Sequence, residues 1–421
     1  MKEKTYRLVT LGCRTNQYES QAYADQLQEK GYRRAEEGET PDVCIVNTCT
    51  VTASADQRSR YQIRKLAREA APEHLIVTGC LAERDPEGIG ALPGVTHVVG
   101  NGDKEDLLPR VFADESWPEF SIRNFEARTR AFVKIQDGCN SYCSYCIIPM
   151  VRGRSRSRTL PDILREVEGL VEEGFREVVL TGINIGDFDG QENLTLADLM
   201  GEIDKIPGLC RLRLSSIDPD EVDEALLETI LAGRTTCHSL HLVLQSGSNV
   251  ILKKMRRKYS RQDFFSAVKK ARAASPHFTF TTDVIVGFPG EEEADFRETC
   301  DVIDEVGFVK VHHFPYSDRP GTRASRWKNK VPQEVIKARS QRLATLCQST
   351  SYRMRKEKVG QRLSVLIEGP ANDRPDYLQG HSENFLPVIF PKGSLRPNTI
   401  VSVLCQENGE EALIGAVDAS T

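Results

Sequence analysis

Cys139, Cys143 and Cys146 stand at C-x3-C-x2-C spacing in the stretch DGCNSYCSYCIIPMVRGRSRSR, and Arg152, Arg154, Arg156 and Arg158 follow at once. A structural zinc ion normally closes its shell with four protein ligands, and no His or further Cys lies nearby to complete this one. Three thiolates suit a 4Fe–4S cluster whose fourth iron stays open to a substrate or cofactor. A zinc knuckle borrowing a distant ligand is the alternative. Cys13, Cys49 and Cys80 are more than thirty positions apart, so no local spacing unites them. Only the fold can bring them together.

The elements around those three cysteines repeat a strand and then a helix: YRLVTLGC before NQYESQAYADQLQEKG, DVCIVNTC before ASADQRSRYQIRKLAREA, and HLIVTGC before a loop. In the second helix Ile63, Leu66, Ala67 and Ala70 keep helical spacing, and Ser54 with Gln57 fits a capping box. Such alternation predicts an α/β unit on a parallel sheet over residues 1–115, in which the loops at the carboxyl ends of strands gather along one edge. Cys13, Cys49 and Cys80 each sit at such an end. Cys44, mid-strand in DVCIV, reads as core.

A linker over residues 115–130 leads to a second run of alternation in a 131–350 unit. Its strand candidates are AFVKIQ, REVVLTGI, RLRLSSI, HLVLQS, FTTDVIVGF and VKVHHFPYS. Six β/α units predict a partial (β/α)6 barrel with its chemistry at the carboxyl ends of the strands. Ser215, Ser216 and Gln245 put polar groups at those ends, where they face a ligand or cap the following elements. Asp283 is placed at the start of the fifth strand, and neither His312 nor His313 is assigned to a metal. Residues 334–358 read as a helix ending in the basic SYRMRKEK, and short alternating strands in 358–421 predict a small all-β domain.

With 421 residues the chain is long enough for about three domains. A net charge of −5 excludes wholesale polyanion binding but leaves room for local basic stretches. Nothing approaches the roughly 18 uninterrupted apolar residues of a membrane helix, and MKEKTYRLVTLGC carries no signal core, so a cytoplasmic, membrane-free protein is expected. Its twelve cysteines then read as ligands, catalytic groups or core residues rather than disulfides.

The cysteine loop with Tyr145 before its last Cys, at the mouth of a partial barrel, resembles the radical S-adenosylmethionine superfamily. The longer RAFVKIQDGCNSYCSYCIIPMVRGRSRSR, together with TLGCRTNQYES, NTCTVT, VTGC, TDVIVGFPGE and FPYSDRPGTRA, resembles its methylthiotransferase branch across essentially the whole chain. That resemblance implies a radical-SAM barrel between an N-terminal three-cysteine domain and a C-terminal TRAM-like barrel. It implies that Cys139, Cys143 and Cys146 hold the 4Fe–4S cluster that chelates S-adenosylmethionine, and that Cys13, Cys49 and Cys80 hold an auxiliary 4Fe–4S cluster carrying sulfur. Tyr145 is then expected beside the adenine of S-adenosylmethionine, and Thr181, Gly182 and Asn184 in its methionine-binding loop, with Ser215, Ser216 and Gln245 as further cofactor contacts.

The implied substrate is tRNA, and LGCRTNQYES with FPYSDRPGTRA resembles the branch that inserts a methylthio group at carbon 2 of N6-threonylcarbamoyladenosine. The rivals are N6-isopentenyladenosine in tRNA, a ribosomal-protein aspartate, and an iron–sulfur RNA-binding sensor without turnover. An external electron donor and a sulfur source are implied partners. Arg152, Arg154, Arg156 and Arg158 are expected to meet RNA phosphates, with LKKMRRKYS as an optional extension of the path. The tail carries only Arg362, Arg374, Lys392 and Arg396 against eight Asp or Glu. RNA reading there falls to Arg374, His381 and Asn384, or else to the basic helix before it.

Overall fold

The computed structural model describes residues 3–125, 128–191, 193–372 and 374–418. The first sheet runs Arg33–Arg34, Thr5–Thr10, Val43–Thr48, His74–Gly79, His97–Val99, with every pairing parallel. Alternation along Val43–Thr48 sends Val43 and Ile45 to one face, against Tyr23 and Leu27 of the helix Arg14–Glu29. Cys44 and Val46 go to the other, against Ile63 and Leu66 of the helix Ala53–Glu69. Cys44 is thus a core residue.

Two local expectations are corrected. The helix Ala53–Glu69 is capped by Thr52, not Ser54: Thr52 is extended and its side chain accepts from the Ala55 amide, while Ser54 only exchanges a hydrogen bond with the Thr52 hydroxyl. After His74–Gly79 the chain enters a short helix, Cys80–Arg84, rather than a loop, so Cys80 is a first-turn residue.

The linker is tied down rather than loose: the Ile122 amide donates to Glu166, the Arg123 and Asn124 amides to Asp25, and Ile122 and Phe125 are buried. Residues 126–127 of it lie outside the described residues.

The central strands are Arg130–Lys134, Glu177–Thr181, Arg211–Leu214, Ser239–Leu242, Thr279–Val286 and Lys310–Pro315, neighbours in chain order and parallel throughout. The third breaks at Ser215. Its continuation, Ser216–Ile217, pairs with the fourth strand, so one segment passes the ladder from a three-stranded sheet to a four-stranded one. The two sheets form an open (β/α)6 barrel around an apolar shell under the helices Leu160–Glu172, Leu196–Asp204, Glu224–Ala232, Arg261–Ala274 and Glu293–Val306. Asp283 lies in the middle of the fifth strand rather than at its start. The helix Arg14–Glu29 packs along the first barrel strand, and its Tyr18 and Ala22 belong to the barrel's core.

The helix Gln333–Lys356 leads to a closed barrel of Arg362–Ala371, Arg374–Ser382, Pro387–Pro391, Leu413–Val417 and Ile400–Asn408, filled by Val365, Leu378, Val388, Phe390 and Val403. This barrel is docked on the amino-terminal mouth of the central one: Arg211 donates to the Ser364 and His381 carbonyls, and Arg130 pairs with Glu368 at 2.9 Å.

Candidate functional site

Cys13 is the N-cap of the helix Arg14–Glu29, Cys49 is the first residue beyond Val43–Thr48, and Cys80 opens the helix after His74–Gly79. The parent strands are adjacent and parallel, so the three residues sit along one sheet edge. Gly12, at φ +97°, lets the first loop close on the second: a Cβ there would fall 3.0 Å from the Cys49 sulfur and 2.8 Å from its Cβ. Burial pushes the Cys49 thiol up to about 12, with smaller upward pushes from Cys80 and Cys13, so the three groups feel one another.

The second triad rides a closed excursion of the first barrel strand. Gln136–Asp137 pairs antiparallel with Arg156–Ser157, and the Cys139 amide donates to the Gly153 carbonyl at 3.1 Å. Gly138 is at φ +73°, and a Cβ on it would stand 2.0 Å from the Arg154 carbonyl oxygen, so this crossing admits no side chain. Burial pushes Cys146 up to about 12, followed in effect by Cys143. Such thiols become ligands only where a metal displaces their protons. Among the described residues no three His, Cys, Asp or Glu side chains close on one ion. Three thiolates on a cubane each bind a different iron and do not have to meet at one point.

Both triads receive a guanidinium N–H, which suits sulfurs that carry negative charge. Arg152 Nε donates to Cys80 Sγ at 3.3 Å, and Arg257 Nη1 donates to Cys143 Sγ at 3.2 Å. The two sites adjoin: Cys80 shares a small apolar cluster with Ile147 and Val151, just past Cys146.

Arg152 corrects the expectation of a phosphate-facing arginine run. It is 2% exposed and donates to Asp137 at 2.8 Å and to Glu19 at 3.0 Å, while Lys104 bridges the same two carboxylates at 2.5 and 2.6 Å. This four-charge knot joins the N-terminal sheet to the strand that precedes Cys139. Arg158 is likewise withdrawn from RNA, bonded to Glu166 and to the Tyr18 hydroxyl. Arg156 is half-exposed and reaches Asp137 at 3.1 Å; Arg154 is exposed.

In LKKMRRKYS, the helix Asn249–Met255 ends on Arg256 in a left-handed conformation, which swings Arg257 inward onto Asp218 and Cys143. The segment serves the cysteine loop, and neither Arg257 nor Asp218 was legible as a site residue. Asn184 Nδ2 donates to Glu221 Oε1 at 2.9 Å, and Glu221 Oε2 accepts from the Asp218 amide at 3.1 Å. A chain of polar contacts therefore runs from the 182–184 loop to Cys143. Burial, then Asp218, pushes the Glu221 carboxyl up to about 7.

Gln136 Oε1 accepts from the Ile183 and Asn184 amides and sits 2.8 Å from where a Gly182 Cβ would be. Thr181 is buried at its strand end, Ser215 carries the strand break, and Gln245 is left-handed at φ +59°. All lie on the carboxyl rim with the cysteine loop. Tyr145 packs edge-on against Phe288 at 6.2 Å.

The FPYSDRPGTRA stretch clamps the domains, a role its sequence did not disclose. Buried Arg319 donates to Asp56 and Thr50 just beyond Cys49, Ser317 Oγ accepts from the Ala53 amide, and the Ala324 amide donates to the Ser144 carbonyl in the cysteine loop. A cavity of about 690 Å³ lined by Gly12, Cys49, Arg58, Phe314 and Tyr316 opens beside this clamp.

The tail residues divide. Arg374 is exposed, but Asn384 is 5% exposed and caps the turn by accepting from the Ser382 hydroxyl, and His381 is held by Glu368 at 2.7 Å and stacked on Phe385. The latter two face the central barrel and are corrected to docking residues. In the basic helix Arg355 is buried, whereas Lys356 is exposed and the half-exposed Arg353 pairs with Asp304.

Residues 5–100 match the Uncharacterized protein family UPF0004, and residues 133–303 match the Radical SAM superfamily. A protein of Chlamydia pneumoniae named threonylcarbamoyladenosine tRNA methylthiotransferase MtaB is 48% identical over 417 residues, 98% of each chain. A Bacillus subtilis protein of the same name is 36% identical over 401 residues, 90% of this chain and 89% of its own. A Desulfitobacterium hafniense tRNA-2-methylthio-N(6)-dimethylallyladenosine synthase is 35% identical over 433 residues, 97% of each. In fold the chain is similar to the radical S-adenosylmethionine methyltransferase TsrM of Kitasatospora setae, with a TM-score of 0.56 at 15% identity over 74% of this chain and 73% of that one. Relatives matched end to end leave one conclusion: the chain belongs to the radical S-adenosylmethionine methylthiotransferase family.

Proposed function

We propose that the protein transfers a methylthio group to carbon 2 of N6-threonylcarbamoyladenosine in tRNA. Cys139, Cys143 and Cys146 would hold one 4Fe–4S cluster, and Cys13, Cys49 and Cys80 a second. The observation that carries the reading is the meeting of two three-thiol rims from two parallel sheets, each with a guanidinium donating to one sulfur. When bound, the clusters and S-adenosylmethionine supply one-electron chemistry for an inert C–H bond and a soft metal for the sulfur. An external reductant and a sulfur source complete the balance.

The chain's own residues orient and shield. Arg257 fixes the cysteine loop against the third-strand end, and Gln136 fixes the 182–184 loop that would take the methionine part of S-adenosylmethionine. Arg319 and Arg152 hold the two rims together across the domain junction. No helix among the described residues is long and apolar enough to cross a membrane.

Mass spectrometry of tRNA nucleosides from cells with and without the gene tests the reading. The 2-methylthio derivative of N6-threonylcarbamoyladenosine should vanish and its precursor accumulate; loss of 2-methylthio-N6-isopentenyladenosine instead, or of neither, would reject it.

Arg154, exposed at the edge of the cysteine loop, remains the candidate phosphate contact. Arg154→Gln should weaken tRNA binding and reduce the slope of log K against log salt by about 0.9, one phosphate's worth of counterion release. Fluorescence anisotropy across a salt titration reads this, and an unchanged slope returns Arg154 to solvent.

A further inference from the structure

Arg14 follows Cys13 and opens the helix that packs along the first barrel strand. The charges its guanidinium feels come from strands all round the barrel: Arg130 on the first, Glu177 on the second, Arg213 on the third and Asp283 on the fifth. By contact the guanidinium lies against the first barrel strand, over Phe132, one residue beyond Cys13.

Three of these four charged neighbours are already matched. Arg130 pairs with Glu368 at 2.9 Å, and Arg213 with Glu177 at 2.9 Å. Asp283 is held 3.3 Å from His241. Arg14 itself has no hydrogen-bond or ion-pair partner among the described residues; its guanidinium lies over the Phe132 ring, 5.5 Å from the centroid. A guanidinium on the wall of the first barrel strand, with two other cations among the charges it feels and no ion-pair partner, is set for an incoming carboxylate, whose two oxygens match its planar fork.

Resting on the function proposed above, we infer that Arg14 binds the carboxylate of the substrate's threonylcarbamoyl group and so selects that nucleoside over adenosines with an apolar N6 substituent. A dimethylallyl group in the same place would bury the guanidinium without pairing it, and a site built to bond a polar group rejects an analogue that lacks it more strongly than an apolar pocket rejects a missing methylene. The carboxylate of S-adenosylmethionine is the other candidate anion. Arg14 adjoins Cys13 in the first triad rather than the loop of Cys139, Cys143 and Cys146, and dialysis of S-adenosylmethionine separates the two carboxylates.

The test uses the full-length reconstituted protein and anticodon stem–loop RNAs that differ at one nucleoside: N6-threonylcarbamoyladenosine, its carboxylate methyl ester, or adenosine. Wild type should prefer the free acid over both others by about 10- to 100-fold. Arg14→Gln should bind the three alike, and Arg14→Lys should keep part of the preference. Retention of the full preference by Arg14→Gln overturns the inference. So does equal binding of acid and ester by wild type, a comparison that needs no variant to fold. A wild type indifferent to the modification altogether overturns the substrate reading and the role of Arg14 with it. Equilibrium dialysis of S-adenosylmethionine without RNA should give the same affinity for wild type and Arg14→Gln; a loss in the variant assigns the guanidinium to that carboxylate and overturns the inference as stated.

Discussion

Replacing Cys13, Cys49 and Cys80 together with Ala should reduce methylthio product to background while 5′-deoxyadenosine is still released. The two triads hang on different sheets, and the second is framed by its own ribbon, Gln136–Asp137 against Arg156–Ser157, so removing the first leaves the Cys139 loop its local support. Iron should fall from about eight per chain to about four. The reciprocal variant, with Cys139, Cys143 and Cys146 replaced, should lose both products, because without S-adenosylmethionine cleavage no sulfur is attached. Parallel measurement of 5′-deoxyadenosine and methylthio nucleoside decides the matter. Persistent methylthio product in the first variant would make its cysteines structural, and loss of cleavage would mean the two sites are not separable.

The second large effect is on stability. Arg152→Met should destabilise the protein by about 3–5 kcal/mol, the cost of breaking a fully buried ion pair from one side. Glu19 would keep only Lys104 and Asp137 would keep Lys104 with the half-exposed Arg156, at an interface where both carboxylates are essentially inaccessible. Burial works to raise the Glu19 carboxyl, but Arg152 and then Lys104 pull it down to about 2. A carboxyl lowered in the folded state contributes stability above its unfolded value, and that stability is lost as pH falls through the folded one. Without Arg152 the folded value rises, so acid unfolding should begin at a higher pH. Urea midpoints for wild type, Arg152→Met and Arg152→Lys between pH 3 and 7 check this. Equal midpoints for wild type and Arg152→Met at pH 7 would mean that the knot contributes nothing.

Cysteine placement was readable because it depends on topology alone: a parallel sheet puts the ends of Val43–Thr48 and His74–Gly79 side by side whatever the side chains between them. The arginines were not readable. A run at every second position predicts one common face only if the backbone stays extended, and here a helical turn at Ile148–Val151 and Gly153 at φ +76° turn Arg152 inward and leave Arg154 outside. What fixes Arg152 is acid from two domains, Glu19 and Asp137, more than a hundred residues apart, and no sequence window contains both. The roles of Asn384 and His381 are hidden in the sequence for a similar reason. Their polarity answers the carbonyls and carboxylates of a docking face rather than RNA. The strand Arg374–Ser382 went unread because YLQGHS alternates too weakly to declare a buried face.

The knot around Arg152 also has a history within each molecule's synthesis. At about 5–20 residues per second, the 72 positions between Cys80 and Arg152 take about 4–14 s to translate. Asp56 waits longer still for Arg319, 263 positions downstream. Until Arg152 is made, Cys80 has no guanidinium to receive and Glu19 has only Lys104 to pair with. The charges around the first site are therefore balanced only once Arg152 has been added, and a chain truncated before residue 152 would carry the cysteines without the residue that completes their surroundings.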